Sequence, residues 1–270
     1  MNQSLANKTL EEIFSESLFS TPAVSIRVED TLAEAATLLP HHLETLTDSL
    51  VAVSDDKPVG IVGGIEVLDG IINNHTPSFL DKTRIGDVMS SKKLVITNQK
   101  SKFSDIVKQW CQTRRAFAII PNQYHGYSVI SARKILDVGI LFKINTTIAA
   151  VPRKKIITFH KEETVGQIIK RMFDNKTRKL ILEGTDFFIS DRIIIQKLVR
   201  EFNCLRDGRN FLETSAGNFS LEQAKRISDD LTISDACKIM QDMRSPYLID
   251  DEKTISPWDI VSVLAFENLS

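Results

Sequence analysis

Ser256-Pro257-Trp258-Asp259 places a hydroxyl, a proline and a carboxylate at helix-start spacing, directly behind the β-rich run Lys253-Thr254-Ile255. Free N–H groups and the helix dipole at such a start attract an anion, and a carboxylate one turn on can accept hydrogen bonds. The same residues also make a self-sufficient helix start, with serine as cap, proline at the first helical position and aspartate three residues after the cap. Both readings are open from the sequence. The layout occurs three more times, with Gly63, Ser131 and Ser190 in register with Ser256, so the anchors lie 68, 59 and 66 residues apart. The acid position holds Glu66 in the first copy, Lys134 in the second and Ile193 in the third. Lysine has no acceptor and isoleucine no polar atom, so only the first and last copies can accept a hydrogen bond there. A fixed layout returning at this period marks the chain as a fourfold repeat.

The elements that position these residues follow the same period. Apolar residues spaced i, i+3, i+4, i+7 mark a helix in every copy: Leu32, Ala35, Ala36 and Leu39; Phe103, Ile106, Val107 and Trp110; Val165, Ile168, Ile169 and Met172; Ile233, Ala236, Cys237 and Met240. Three of the four begin as capping boxes, Thr31 with Glu34, Thr164 with Gln167 and Thr232 with Asp235. Two short strands joined by a polar turn and a closing helix complete each unit, giving β-α-β-β-α. Residues 3 to 19 read as a leading amphipathic helix with Leu10, Ile13, Phe14 and Leu18 on one stripe. The expected boundaries are 1–20 for that helix and 21–80, 81–145, 146–207 and 208–270 for the repeats. A unit of about 60 residues buries too little surface to be secure alone, so pairing is expected.

With 270 residues, 42% hydrophobic and 26% charged, the chain has the composition of an ordinary globular protein. It shows neither a run of about 20 apolar residues nor a signal peptide, so a cytoplasmic protein without membrane partners is expected. Cys111, Cys204 and Cys237 stand in no CxxC or Cys/His spacing, which supports neither a disulfide framework nor a zinc site. The five histidines have no ligand-spaced neighbours, and P-loop and nucleophile-elbow motifs are missing. No catalytic residue, metal or catalytic cofactor is therefore expected, and the sequence does not read as an enzyme.

Asp30-Thr31-Leu32-Ala33-Glu34-Ala35 at a helix start, the lead-in Ile85-Gly86-Asp87-Val88-Met89-Ser90, and the Gly-x-x-Ser-x-x-Asp type of ending resemble the CBS-domain (cystathionine β-synthase repeat) family from about residue 20 onward. The resemblance implies an α/β (α+β) fold in which two repeats pack through their sheets into a Bateman module, and two modules form a flat disc. It implies clefts between paired repeats that bind adenosine compounds such as AMP, ADP, ATP or S-adenosylmethionine. Ser256 and Asp259 match the positions expected for phosphate and ribose, with Ile227 and Tyr247 beside the adenine and Glu66 in a second cleft. The function implied is regulatory: a ligand clamps paired repeats, and a protein partner in trans, or a homodimer, reads the change.

A net charge of −1 hides an asymmetry, because residues 1–80 carry −9, 81–150 carry +8, 151–210 carry +6 and 211–270 carry −6. A ring in chain order would gather repeats 2 and 3 into one basic half. Arg114, Arg115, Arg133, Lys134, Arg153, Lys154 and Lys155 would then supply a surface for phosphate or RNA. This sustains an alternative reading, an RNA- or ribosome-binding factor. Opposite halves that merely hold the disc together are the plainer account of the same pattern.

Overall fold

The computed structural model describes residues 5–14, 19–42, 49–74, 78–124, 126–201 and 211–266. A single helical turn at Leu5–Asn7 precedes α1 (Leu10–Ile13). The expected continuous helix is interrupted at Thr9, whose N–H and hydroxyl donate to the Glu12 carboxylate as a fresh helix cap. Residues 15–18, with Leu18 of the expected stripe, lie outside the described residues.

Repeat 1 comprises β1 (Ser25–Arg27), α2 (Leu32–His42), β2 (Ser49–Ser54), β3 (Lys57–Gly63) and α3 (Gly64–Asn73). Two short helices, α4 (Phe79–Lys82) and α5 (Ile85–Val88), lead to repeat 2, which has α6 (Phe103–Thr113), β4 (Phe117–Asn122), β5 (Gly126–Ser131) and α7 (Ala132–Leu141). Its opening strand is reduced to one parallel bridge between Ile96 and Ile119. The linker strand β6 (Lys154–Lys155) precedes repeat 3, formed by β7 (Thr158–Phe159), α8 (Val165–Asp174), β8 (Lys179–Leu182), β9 (Phe187–Ser190) and α9 (Asp191–Arg200). A second linker strand, β10 (Glu222–Gln223), leads into repeat 4 with β11 (Lys225–Arg226), α10 (Ile233–Asp242), β12 (Leu248–Asp250), β13 (Lys253–Ile255) and α11 (Pro257–Phe266).

Each repeat sheet joins its first two strands in parallel and its last two as an antiparallel hairpin. The predicted apolar stripes are buried in all four leading helices. Thr31 with Glu34, Thr164 with Gln167 and Thr232 with Asp235 engage at the three helix starts. The linker strands cross between paired repeats: β6 adds to β13 of repeat 4, and β10 adds to β9 of repeat 3. The first pair makes the same exchange through single bridges, Pro22 to Ser128 and Ile61 to Ser90. Residues 154–155, within the expected third repeat, thus extend the sheet of repeat 4, and residues 222–223, within the expected fourth, extend that of repeat 3; the expected boundary at 207–208 lies outside the described residues.

Sheets pair repeat 1 with 2, burying Val51 and Ile61 against Phe117, Ile119 and Val129. They also pair 3 with 4, where the Phe188 and Tyr247 rings meet edge to face at 5.4 Å. Helices join the pairs: α2 and α3 pack on α9, and α7 packs on α10 and α11. One core thus spans repeats 1 and 3 and takes in Tyr247 and Ile249 of repeat 4, and another spans repeats 2 and 4. Around the ring the order is 1, 2, 4, 3, so the charges alternate in sign and the expected basic half does not form. Helix fit accounts for the choice, since a side chain on Gly64 would meet Asp191 Oδ2 at 2.6 Å and one on Gly139 would meet Cys237 Sγ at 2.5 Å. Gly139→Ala should therefore lower stability by about 1–3 kcal/mol through overpacking, read as a fall in the urea midpoint at unchanged slope. Alanine's better helix propensity, about 1 kcal/mol, acts the other way, and a stabilised variant would show that these helices have room to spare.

Candidate functional site

The last repeat's helix start is closed on itself. The Ser256 N–H and Oγ both donate to Asp259 Oδ2, at 2.8 and 2.6 Å, and the aspartate is 5% exposed. Its other oxygen lies 3.8 Å from Lys154 Nζ, reaching in from β6. The cap reading is thus realised in the geometry, with one carboxylate oxygen turned toward a cation. Tyr247 stands beside this group: burial pushes its hydroxyl pKa up, a hydrogen bond with Thr254 opposes the rise, and Asp259 adds to it.

Ile227 is not brought to the same place. Its N–H donates to the Ile249 carbonyl and its side chain packs into the core of repeats 2 and 4, whereas Tyr247 belongs to the core shared by repeats 1 and 3. The two lie on opposite faces of the sheet, because side chains alternate along a strand. They cannot flank one ring as expected.

The other three starts are internally engaged. Arg115 Nη2 donates to both oxygens of Glu66, at 2.6 and 2.7 Å, and Lys93 Nζ and the Gly63 N–H donate at 3.1 and 2.9 Å. A ribose at Glu66 would have to displace a buried arginine. In the second copy, Lys134 turns inward to donate to the Val129 carbonyl at 2.8 Å, and burial pushes its pKa down to about 8 against the opposing pull of Asp137. In the third, the Ser190 hydroxyl caps Ile193 N–H, and Asp191 pairs with Arg178 at 2.6 Å.

The seven basic residues expected to form one surface are scattered. Arg115 and Lys134 are buried. Arg133 donates to backbone carbonyls, and Arg153 bonds Asp250 and Asp229. Arg114, Lys154 and Lys155 are exposed, but the last two lie on the sheet of repeat 4, next to repeat 2 in the ring. The RNA reading loses the contiguous basic half on which it stood.

A cationic centre not foreseen from the sequence lies where repeats 2, 3 and 4 meet. The segment after α10 presents its carbonyls to it: Arg133 donates to Arg244 and Met243 oxygens at 2.7 and 2.6 Å, Arg192 to Arg244 O at 3.1 Å, and Lys179 to Pro246 O at 2.8 Å. Cations satisfy the free carbonyls of a helix C-terminus in this way. The positive groups nevertheless crowd together. Burial lowers the pKa of both arginines, and the Arg244 charge lowers that of Arg192 further. Burial pushes Lys179 down to about 7. Among the described residues, Arg133 Nε, Arg192 Nε and Ser245 Oγ are buried without a hydrogen-bond partner, a rare condition that asks for an explanation. Tyr247 connects this centre to Asp259, because Lys179 Nζ sits 4.5 Å from its ring. One sequence signal was available: Arg133 and Arg192 occupy the same register, two residues beyond Ser131 and Ser190.

Residues 15–73 match the family profile of the CBS domain. No curated protein matches the sequence significantly. Among solved structures, protein MJ1225 of Methanocaldococcus jannaschii, described as a candidate archaeal homologue of γ-AMPK, superposes with a TM-score of 0.77 at 15% identity, covering 95% of this chain and 100% of its own. A conserved protein of Pyrococcus horikoshii superposes with a TM-score of 0.55 at 12% identity, covering 92% and 97%. At these identities the likeness concerns the fold, and it extends over all four repeats. Residues 15–73 thus match the CBS domain, and the chain as a whole shares the four-repeat fold of MJ1225.

Proposed function

We propose that this protein is a non-catalytic regulator that binds an adenine nucleotide in the cleft of repeats 3 and 4. Ser256 and Asp259 take the ribose end, Tyr247 lies along the way, and the cationic centre takes the phosphates. The observation that carries the reading is the convergence of Arg133, Lys179, Arg192 and Arg244 from three repeats, with buried donors unpaired among the described residues, next to the one copy whose acid position holds an aspartate. Phosphate oxygens would supply acceptors that the protein does not, in a site where low dielectric strengthens charge-assisted bonds. A cationic centre also favours nucleotides over S-adenosylmethionine, whose sulfonium adds positive charge. Clamping the second pair would bias how it packs on the first, and a protein partner in trans would read that shift.

A thermal-shift series with AMP, ADP, ATP and S-adenosylmethionine tests this. A nucleotide at about 100 times its dissociation constant stabilises by about 2.7 kcal/mol. Asp259→Ala, compared with its own ligand-free baseline because it also loses a helix cap, should abolish the shift. An undiminished shift in that variant would remove Asp259 from the site, and no shift with any nucleotide would remove the reading.

A further inference from the structure

The cations at the ring's centre share one carboxylate that touches none of them. Against the larger effect of burial, Glu222 pulls upward on the pKa of Arg133, Lys179 and Arg192 alike, while Asp191 does so only for Lys179 and Arg192. The fold puts it there, since β10 pairs with β9 so that Glu222 stands directly opposite Phe188. Cross-strand partners share a face, and Lys179 Nζ lies 5.3 Å from the Phe188 ring on its other approach toward Tyr247. Among the described residues no cation comes within 4.0 Å of the Glu222 carboxylate, while neighbouring donors on Arg133, Arg192 and Ser245 go unpaired. A carboxylate held near a cluster of cations but not bonded to it lowers their mutual repulsion and leaves their donors available.

We propose that Glu222 is a built-in counter-ion occupying, electrostatically, the place of a ligand phosphate, and that an incoming phosphate drives it out. This rests on the nucleotide reading above and adds a means of regulation. Ala224, whose N–H donates to the Asp186 carbonyl, separates Glu222 and Gln223 on the sheet of repeat 3 from Lys225 and Arg226 on the sheet of repeat 4. Expelling the carboxylate pushes on a strand that belongs to both repeats, so occupancy of the anion site is felt in the pairing of the two sheets.

The test measures binding of ATP and of inorganic tripolyphosphate to the whole chain, as wild type, Glu222→Gln, Glu222→Asp and Asp259→Ala. Removing one negative charge several Å from the anion, at an effective dielectric of about 20, should tighten both ligands in Glu222→Gln on the order of tenfold and steepen the fall of affinity with salt. The free variant should melt below wild type and recover with tripolyphosphate. Glu222→Asp keeps the charge and withdraws it by one methylene, so it should tighten binding less, and it serves if Glu222→Gln does not fold. Unchanged or weaker tripolyphosphate binding in the glutamine variant overturns the proposal, as does tighter binding in the aspartate variant than in the glutamine one. If tripolyphosphate tightens as expected while no variant binds ATP, the Glu222 role stands and the nucleotide reading falls.

Discussion

Glu66→Ala should cost this protein about 3–5 kcal/mol of stability, the loss expected when one member of a buried ion pair is removed and the other is left behind. The remaining charge would be Arg115, 3% exposed, whose other side-chain hydrogen bond among the described residues runs 3.4 Å from Nη1 to Ser49 Oγ. The carboxylate and guanidinium come from repeats 1 and 2, so the variant also cuts the polar tie between the paired sheets. Replacing both partners by apolar residues, Glu66→Leu with Arg115→Met, should lose much less, because no buried charge then goes unpaired. Urea denaturation of the two single variants and the double variant measures the coupling directly. A loss under about 1 kcal/mol for Glu66→Ala would mean that the arginine finds water and that Glu66 is free for another role.

The same pair sets an acid limit. Burial is the largest influence on Glu66 and raises its pKa, but Arg115, Lys93 and the Gly63 N–H together outweigh it and hold the carboxyl below its ordinary 4.5. The unfolded chain therefore takes up this proton first as pH falls. Stability from the group is complete above the ordinary value and is lost as pH drops through the lower, folded one.

Local chemistry was legible in the sequence wherever a short spacing carries it. The four helices announce themselves through buried stripes, and Thr31, Thr164 and Thr232 through acids or amides three residues on. Ser256 with Asp259 was visible for the same reason. What stayed hidden depends on residues far apart. Arg115 is 49 positions from Glu66, and the sequence assigns one to a phosphate or RNA surface and the other to a ligand cleft without joining them. Ring order was hidden because all four repeats offer similar apolar helix faces. The choice rests on Gly64 beside Asp191 and Gly139 beside Cys237, contacts that mean nothing until the helices are docked. Ile227 and Tyr247 show the limit of a motif carried by position alone. Both fell at the expected places in the chain, yet strand alternation sends their side chains to opposite faces.

Buried Lys134 and half-buried Lys179 give the fold an unusual dependence on alkaline pH. Lys134 is 1% exposed, and burial brings its pKa from 10.5 to about 8 despite Asp137. Lys179 is brought to about 7, again chiefly by burial. In each case the unfolded chain holds the proton more tightly than the folded one, so the native state carries a penalty below its own pKa that fades as pH rises toward 10.5. For Lys134 the full penalty is about 3 kcal/mol, at about 1.36 kcal/mol per pKa unit. Wild-type protein should therefore gain stability between pH 8 and 10, where most proteins lose it. Lys134→Met keeps the length and apolar stem without the charge. It should be more stable than wild type at pH 7, by less than the full penalty because the bond to the Val129 carbonyl goes with it. The advantage should shrink steadily as pH approaches 10. Urea midpoints of the two proteins at pH 7, 8.5 and 10 decide it, since other titrating groups are common to both and cancel in the difference. A constant difference would mean that Lys134 stays charged within the fold, and then the second helix start would hold a buried cation ready for an anion rather than a side chain that fills its own cleft.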